Sequence, residues 1–160
     1  MALSRLHWTD SALAASIAAA PDAARGLALF AAEFAIASCG VKSPEVVEAL
    51  RLLALGQRSA AMKLRPELER LAEELEGPYF MELASTVDTP APLTSAARDA
   101  FGRARAVNAL SCALADDPVD AALEATYEAQ ASVPEPDSSN LLESIRERLH
   151  GKPRRESHSE

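Results

Sequence analysis

Aromatic side chains are scarce in this 160-residue chain: one Trp, two Tyr and four Phe make up only 4% of it. A core must therefore come from Leu, Ala, Val and Ile, and alanine-rich faces let helix backbones approach one another closely. Cysteine is scarcer still. Cys39 and Cys112 each lie in an apolar helical stretch without a neighbouring His, which excludes a zinc site or a catalytic dyad built on them. They read as reduced core residues of a cytoplasmic protein, a setting that disfavours a disulfide. Positive charge is also short, since 16 Lys and Arg face 24 Asp and Glu, for a net charge of −8 and a pI near 4.9. That balance argues against nucleic acid as a partner, because a phosphate backbone needs clustered cations, and it favours a basic protein. Long apolar runs are missing as well. Gly26 to Val41 is shorter than the roughly 20 residues a bilayer requires and contains Glu33, so no membrane span is expected. Ser11 to Ala20 ends like a signal-peptidase site, but alanine alone makes a feeble apolar core for a leader.

What is present is helical periodicity punctuated by proline and glycine. Thr9 or Asp10 can cap a helix running to Ala20, and Pro21 opens a second that reaches Cys39 and stops at Gly40. Ser43-Pro44 starts a third, which ends before Gly56. From Ser59 to Glu76, Ala61, Leu64, Leu68, Leu71, Ala72 and Leu75 keep helical spacing, with Glu67, Glu69, Glu73, Glu74 and Glu76 off that stripe. Pro66 is satisfied either by a kink in one helix or by a short turn followed by a helix beginning near Arg65, and the second is preferred. Gly77-Pro78 then reads as a break before a short segment, Tyr79 to Thr86. Ser95 to Ala115 is predicted as the longest helix, Asp117-Pro118 starts another to about Ser132, and Asn140 with Glu143 makes a capping-box start for Leu141 to His150.

Shifting the chain by 73 residues lays 23–59 on 96–132 without a gap, matching Arg25 with Arg98, Ser38-Cys39 with Ser111-Cys112 and Gln57 with Gln130. The expected architecture is therefore all-α: one helical bundle over residues 1–150, with about seven helices derived from two duplicated hairpins, and a disordered tail at 151–160. Cys39 and Cys112 would then be equivalent packing positions where the hairpins meet. Glu33 interrupts an apolar helix, and Arg103 and Arg105 interrupt its counterpart, which predicts an internal Glu–Arg bridge or a polar groove between them.

Asp116, Asp117 and Asp120 spell Asp-Asp-Pro-Val-Asp, which resembles the aspartate-rich motif that holds magnesium in all-helical isoprenoid synthases. The resemblance implies a small metal-dependent enzyme; as a plain helix start, Asp117 caps the helix and Asp120 complements its dipole. Glu147 and His150 form one Glu-x-x-His pair, where a di-iron bundle needs two with further glutamates. No cofactor is expected. Glu124, Tyr127 and Glu128 share one helical patch, with Glu45 and Glu48 at the start of the equivalent helix. An acidic face with an embedded tyrosine suits a basic protein partner.

The run Leu29-Phe-Ala-Ala-Glu33-Phe-Ala, followed by Ser43-Pro44, Glu48-Ala-Leu50 and Gly56, then Arg103-Ala-Arg105 and Ala125-Thr-Tyr127, resembles alanine-rich helical immunity proteins of bacterial polymorphic-toxin systems. The likeness covers Ala23 to Ala131. It implies a non-enzymatic, cytoplasmic protein that binds and neutralises a toxin domain. A structural or adaptor helical-repeat protein is the remaining alternative.

Overall fold

Capping chemistry sets the helix boundaries in the computed structural model, which describes residues 3–87 and 91–151. These residues form nine helices and no strand: α1 (Arg5–Thr9), α2 (Ser11–Ala18), α3 (Pro21–Cys39), α4 (Pro44–Ala54), α5 (Arg58–Met62), α6 (Arg65–Ser85), α7 (Ser95–Ala113), α8 (Pro118–Ser132) and α9 (Asp137–His150). Seven have eight residues or more, and together the helices make one all-α domain. The carboxylate of Asp10 accepts from the Leu13 amide at 3.0 Å, and that of Asp117 from Asp120 at 2.8 Å. Gly40 and Gly56 end α3 and α4 in the left-handed region, at φ 66° and 71°, where a Cβ would be strained.

Three boundaries differ from those expected. A separate short helix, α1, precedes Asp10, with Ser4 accepting from the His7 amide as its cap. α6 runs through Gly77-Pro78 instead of breaking there, and so replaces α7 as the longest helix. Gly77 has no Cβ to meet the proline ring, which removes the main pre-proline clash, and the carbonyl left without a donor lies on the water side at exposed Glu74. α9 starts at Asp137, ahead of Asn140, because the Glu135 carboxylate accepts from the hydroxyls of Ser138 and Ser139, both at 2.5 Å, and holds that first turn. The expected tail, apart from Gly151, lies outside the described residues.

α3, α7 and α8 pack against one another at the centre; α6 covers α7, while α1, α2 and α9 close the side formed by α3 and α8. Alanines dominate the central contacts: Ala28, Ala31 and Ala35 from α3, Ala106 and Ala109 from α7, Ala121 and Ala125 from α8. α7 and α8 come close at Gly102, where an added Cβ would lie 2.7 Å from the Ser132 carbonyl oxygen.

The two stretches related by the 73-residue shift pack differently. α3 and α7 both have 19 residues, and the shift lays one on the other with their bounds one residue apart. α8 lies along both of them, whereas α4 meets α3 only sparingly. α8 buries Ala121, Ala122, Ala125 and Ala129 among others, whereas α4 buries only Val46, Ala49 and Leu52, leaves Val47 exposed and is followed by exposed Leu55. The cysteines accordingly have different surroundings. Cys39 donates to the carbonyl of Ser132 at 3.4 Å where α3, α7 and α8 converge, while Cys112 lies near Glu128 and Glu124. Glu33 is exposed and bridges neither Arg103 nor Arg105, because α3 turns it to water and Arg105 is taken by Glu128.

Candidate functional site

The acidic residues singled out in the sequence separate into three places. Glu128, 3% exposed, pairs with Arg105 at 3.0 Å and with Arg5 at 2.5 Å. Glu124 accepts two hydrogen bonds from the Arg5 guanidinium, at 2.7 and 2.9 Å, and that guanidinium lies 4.4 Å from the centre of the Tyr127 ring. Burial acts to lower the Arg5 pKa, but the hydrogen bond Arg5 donates to Glu124 and the charge of Glu128 outweigh it and raise it. Burial, reinforced by the charges of Glu128 and Glu124, pushes the neighbouring Cys112 thiol up to about 11. Glu124, Tyr127 and Glu128 therefore do meet, but as an ion cluster that pins α1 to α8 and not as an open acidic face.

Glu45 and Glu48 stand apart on α4, which makes no substantial contact with α8. Glu48 accepts from Arg51 at 2.6 and 2.9 Å, and that guanidinium holds its carboxyl below the ordinary glutamate range. At the α7–α8 turn, Asp117 is the cap of α8, and the 90%-exposed Asp116 side chain lies 3.3 Å from Arg58. Arg58 also donates to the Ala115 carbonyl at 2.7 Å, and Arg25 donates to the carbonyls of Ala115 and Asp116, so two guanidiniums close the C-terminus of α7. Among the described residues, no three His, Cys, Asp or Glu side chains are grouped so as to hold a metal ion.

The surface that sequence reasoning missed is the outer side of α6. Its first half buries Leu68 and Ala72 against the rest of the protein and turns Glu67, Glu69, Glu73 and Glu74 to water. Its second half has no fully buried residue, yet carries Phe80, 51% exposed, Met81, 76% exposed, and Leu83. Val87, just past the helix, is 79% exposed. Phe80, Leu83 and Ala84 follow i, i+3, i+4 spacing on the helix, and seven residues behind Phe80 and Met81 stand Glu73 and Glu74. One face thus passes from carboxylates to apolar side chains along a single helix. The pattern was present in the sequence, but Gly77-Pro78 read as a break hid its continuity.

Tyr79 anchors this end. Its ring lies 4.6 Å from Phe101 of α7 and 5.2 Å from Phe80, and Arg105, held by Glu128, sits 4.7 Å from the Phe101 ring. Glu82 accepts from the Thr94 hydroxyl at 2.9 Å, tying the helix to the start of α7. Beside Tyr79 and Phe101 opens a groove of about 740 Å³ whose charged wall is Arg98, Arg103, Asp99 and Asp137. Basic and acidic groups are balanced there, so the groove has no marked preference for ions of one sign. No helix among the described residues is long and apolar enough to cross a membrane. No protein-family model, curated protein or solved structure matches the chain.

Proposed function

We propose that the protein is a non-enzymatic protein-binding module that docks its partner on the outer face of α6. The observation that carries this reading is the uncovered second half of α6, where Phe80, Met81 and Leu83 stand exposed on a helix fixed by Tyr79 and Glu82. Exposed apolar side chains gathered on one rigid element mark interaction surfaces, whereas scattered ones do not. The resemblance to immunity proteins supplies the sharper form: the partner is a bacterial toxin domain, basic in charge, met in the cytoplasm and neutralised by binding.

The test begins with the reading frames that neighbour this chain's gene: absence of any toxin-like frame would count against the immunity form, and one that is found is co-expressed with the chain. Growth rescued by the native protein and lost with Phe80→Ser/Met81→Ser supports both forms of the reading. Failure of the native protein to rescue growth would sink the immunity form. Rescue that survives the double substitution would remove α6 as the docking face.

A further inference from the structure

We infer that the occupant of the α6 face is a basic amphipathic helix of another protein, with its apolar side chains over Phe80 and Leu83 and its Lys or Arg residues over Glu73, Glu74 and Glu69. This inference rests on the reading of α6 as the docking surface and adds the chemistry of what docks there.

Charge complementarity carries the inference. α6 holds six glutamates against two arginines, half of the chain's net charge of −8. Arg65 reaches Glu69 at 3.4 Å, while Glu67, Glu73 and Glu74 have no ion-pair partner among the described residues. The exposed face from Glu69 to Leu83 runs for roughly 20 Å at the rise of an α-helix, long enough for about four turns of a second helix laid along it. A purely apolar partner would lie over carboxylates at one end. A purely cationic one would leave Phe80 and Leu83 in water and gain only exposed ion pairs, which contribute little. An amphipathic basic helix answers both ends at once.

Two other occupants fit less well. A second copy in parallel register would set the glutamates of one α6 against those of the other, and in antiparallel register would set apolar ends against glutamates. Residues 152–160 of this chain supply Lys152, Arg154 and Arg155 but no large apolar side chain to cover Phe80.

The experiment measures binding of a fluorescein-labelled synthetic Leu/Lys amphipathic helical peptide to the full chain by anisotropy, alongside a Leu/Glu peptide of the same pattern. Phe80→Ser/Leu83→Ser and Glu73→Lys/Glu74→Lys are each expected to weaken the Leu/Lys peptide about tenfold or more, with the second effect shrinking in high salt. Asp22→Lys/Glu33→Lys, the same charge change on exposed positions of α3, is expected to weaken it less than about threefold. Circular dichroism confirms folding, which exposed substitutions leave intact. Equal loss with the α3 pair would mean attraction to bulk charge and would overturn the inference. Equal binding of the Leu/Glu peptide, abolished by Phe80→Ser/Leu83→Ser, would overturn the basic partner while leaving α6 as the docking face. No effect of either α6 pair would bring down both readings.

Discussion

α7 lies between two glutamate-bearing helices, and the two treat their carboxylates in opposite ways. On α8, Glu124 and Glu128 are claimed by Arg5 from the N-terminal helix and by Arg105 from α7 itself. On α6, Glu73 and Glu74 face water and lead into an apolar end that no described residue covers. The residue types are alike; the difference is whether a distant segment delivers a counter-charge. Acidic helices in one chain can thus serve as an internal clamp and as an outward surface, and only the fold distinguishes them.

The contrast breaks most visibly at Glu128. Replacing it with Ala strands Arg105 and part of Arg5, and the expected cost is about 3 kcal/mol, since removing one member of a buried pair leaves the other uncompensated. A shift of the urea midpoint at constant slope measures it, and a cost near zero would mean the cluster is not a clamp. Cys112 reports the same region through pH. Its thiol pKa is raised in the folded protein, to about 11, so its contribution to stability is present below the ordinary thiol value and is lost as pH rises toward about 11. In a Cys39→Ala background, thiolate absorbance should rise near that pH while the protein is folded and earlier once urea unfolds it. A folded midpoint near the ordinary value would contradict the burial of this thiol beside two carboxylates.

Gly102 tests the next layer of the α7–α8 contact. Alanine there must push the Ser132 carbonyl away from a 2.7 Å approach to backbone, which neither helix can yield by rotating a side chain. The expected destabilisation is about 2 kcal/mol, in the range of core overpacking and larger than the helix-propensity gain from replacing glycine. A more stable Gly102→Ala protein would show that α7 and α8 can separate freely, and the locked side of the comparison would lose its basis.

Much of this was legible before the fold was known. Asp10, Asp117, Gly40 and Gly56 act as the stops and caps their local sequence predicts, because capping needs only neighbouring residues. The arginine partners of Glu124 and Glu128 were not legible. Arg5 lies more than a hundred residues away, and no periodicity on α8 reveals which segment will reach it. The same holds for Glu33, whose intrusion into an apolar run suggested burial although its helix turns it outward. The 73-residue shift relates stretches of sequence, yet α4 meets α3 only sparingly where α8 packs along α7, a difference of tertiary packing that the shift does not carry. The α6 face was missed for a more local reason: Gly77 lets the helix pass Pro78, and a rule that treats the pair as a break divides one surface into two unremarkable pieces.

The smallest expected effect sharpens the comparison from the other side. Glu73→Lys/Glu74→Lys, which should disturb docking, is expected to change folding stability by less than about 0.5 kcal/mol. Both positions are exposed, and Glu and Lys have similar helix propensities. The lysine introduced in place of Glu73 gains a favourable neighbour in Glu69 one turn back, while the one in place of Glu74 meets Arg70 at the same spacing, so the local charge changes oppose each other. Chemical unfolding of the double variant beside Glu128→Ala decides the point. A loss above about 1 kcal/mol at α6 would exceed what solvated charges on a helix contribute and would make these carboxylates structural. The distinction between a clamped α8 and an open α6 would then fail, and the docking face with it, because a surface kept for a partner must be dispensable to the fold that presents it.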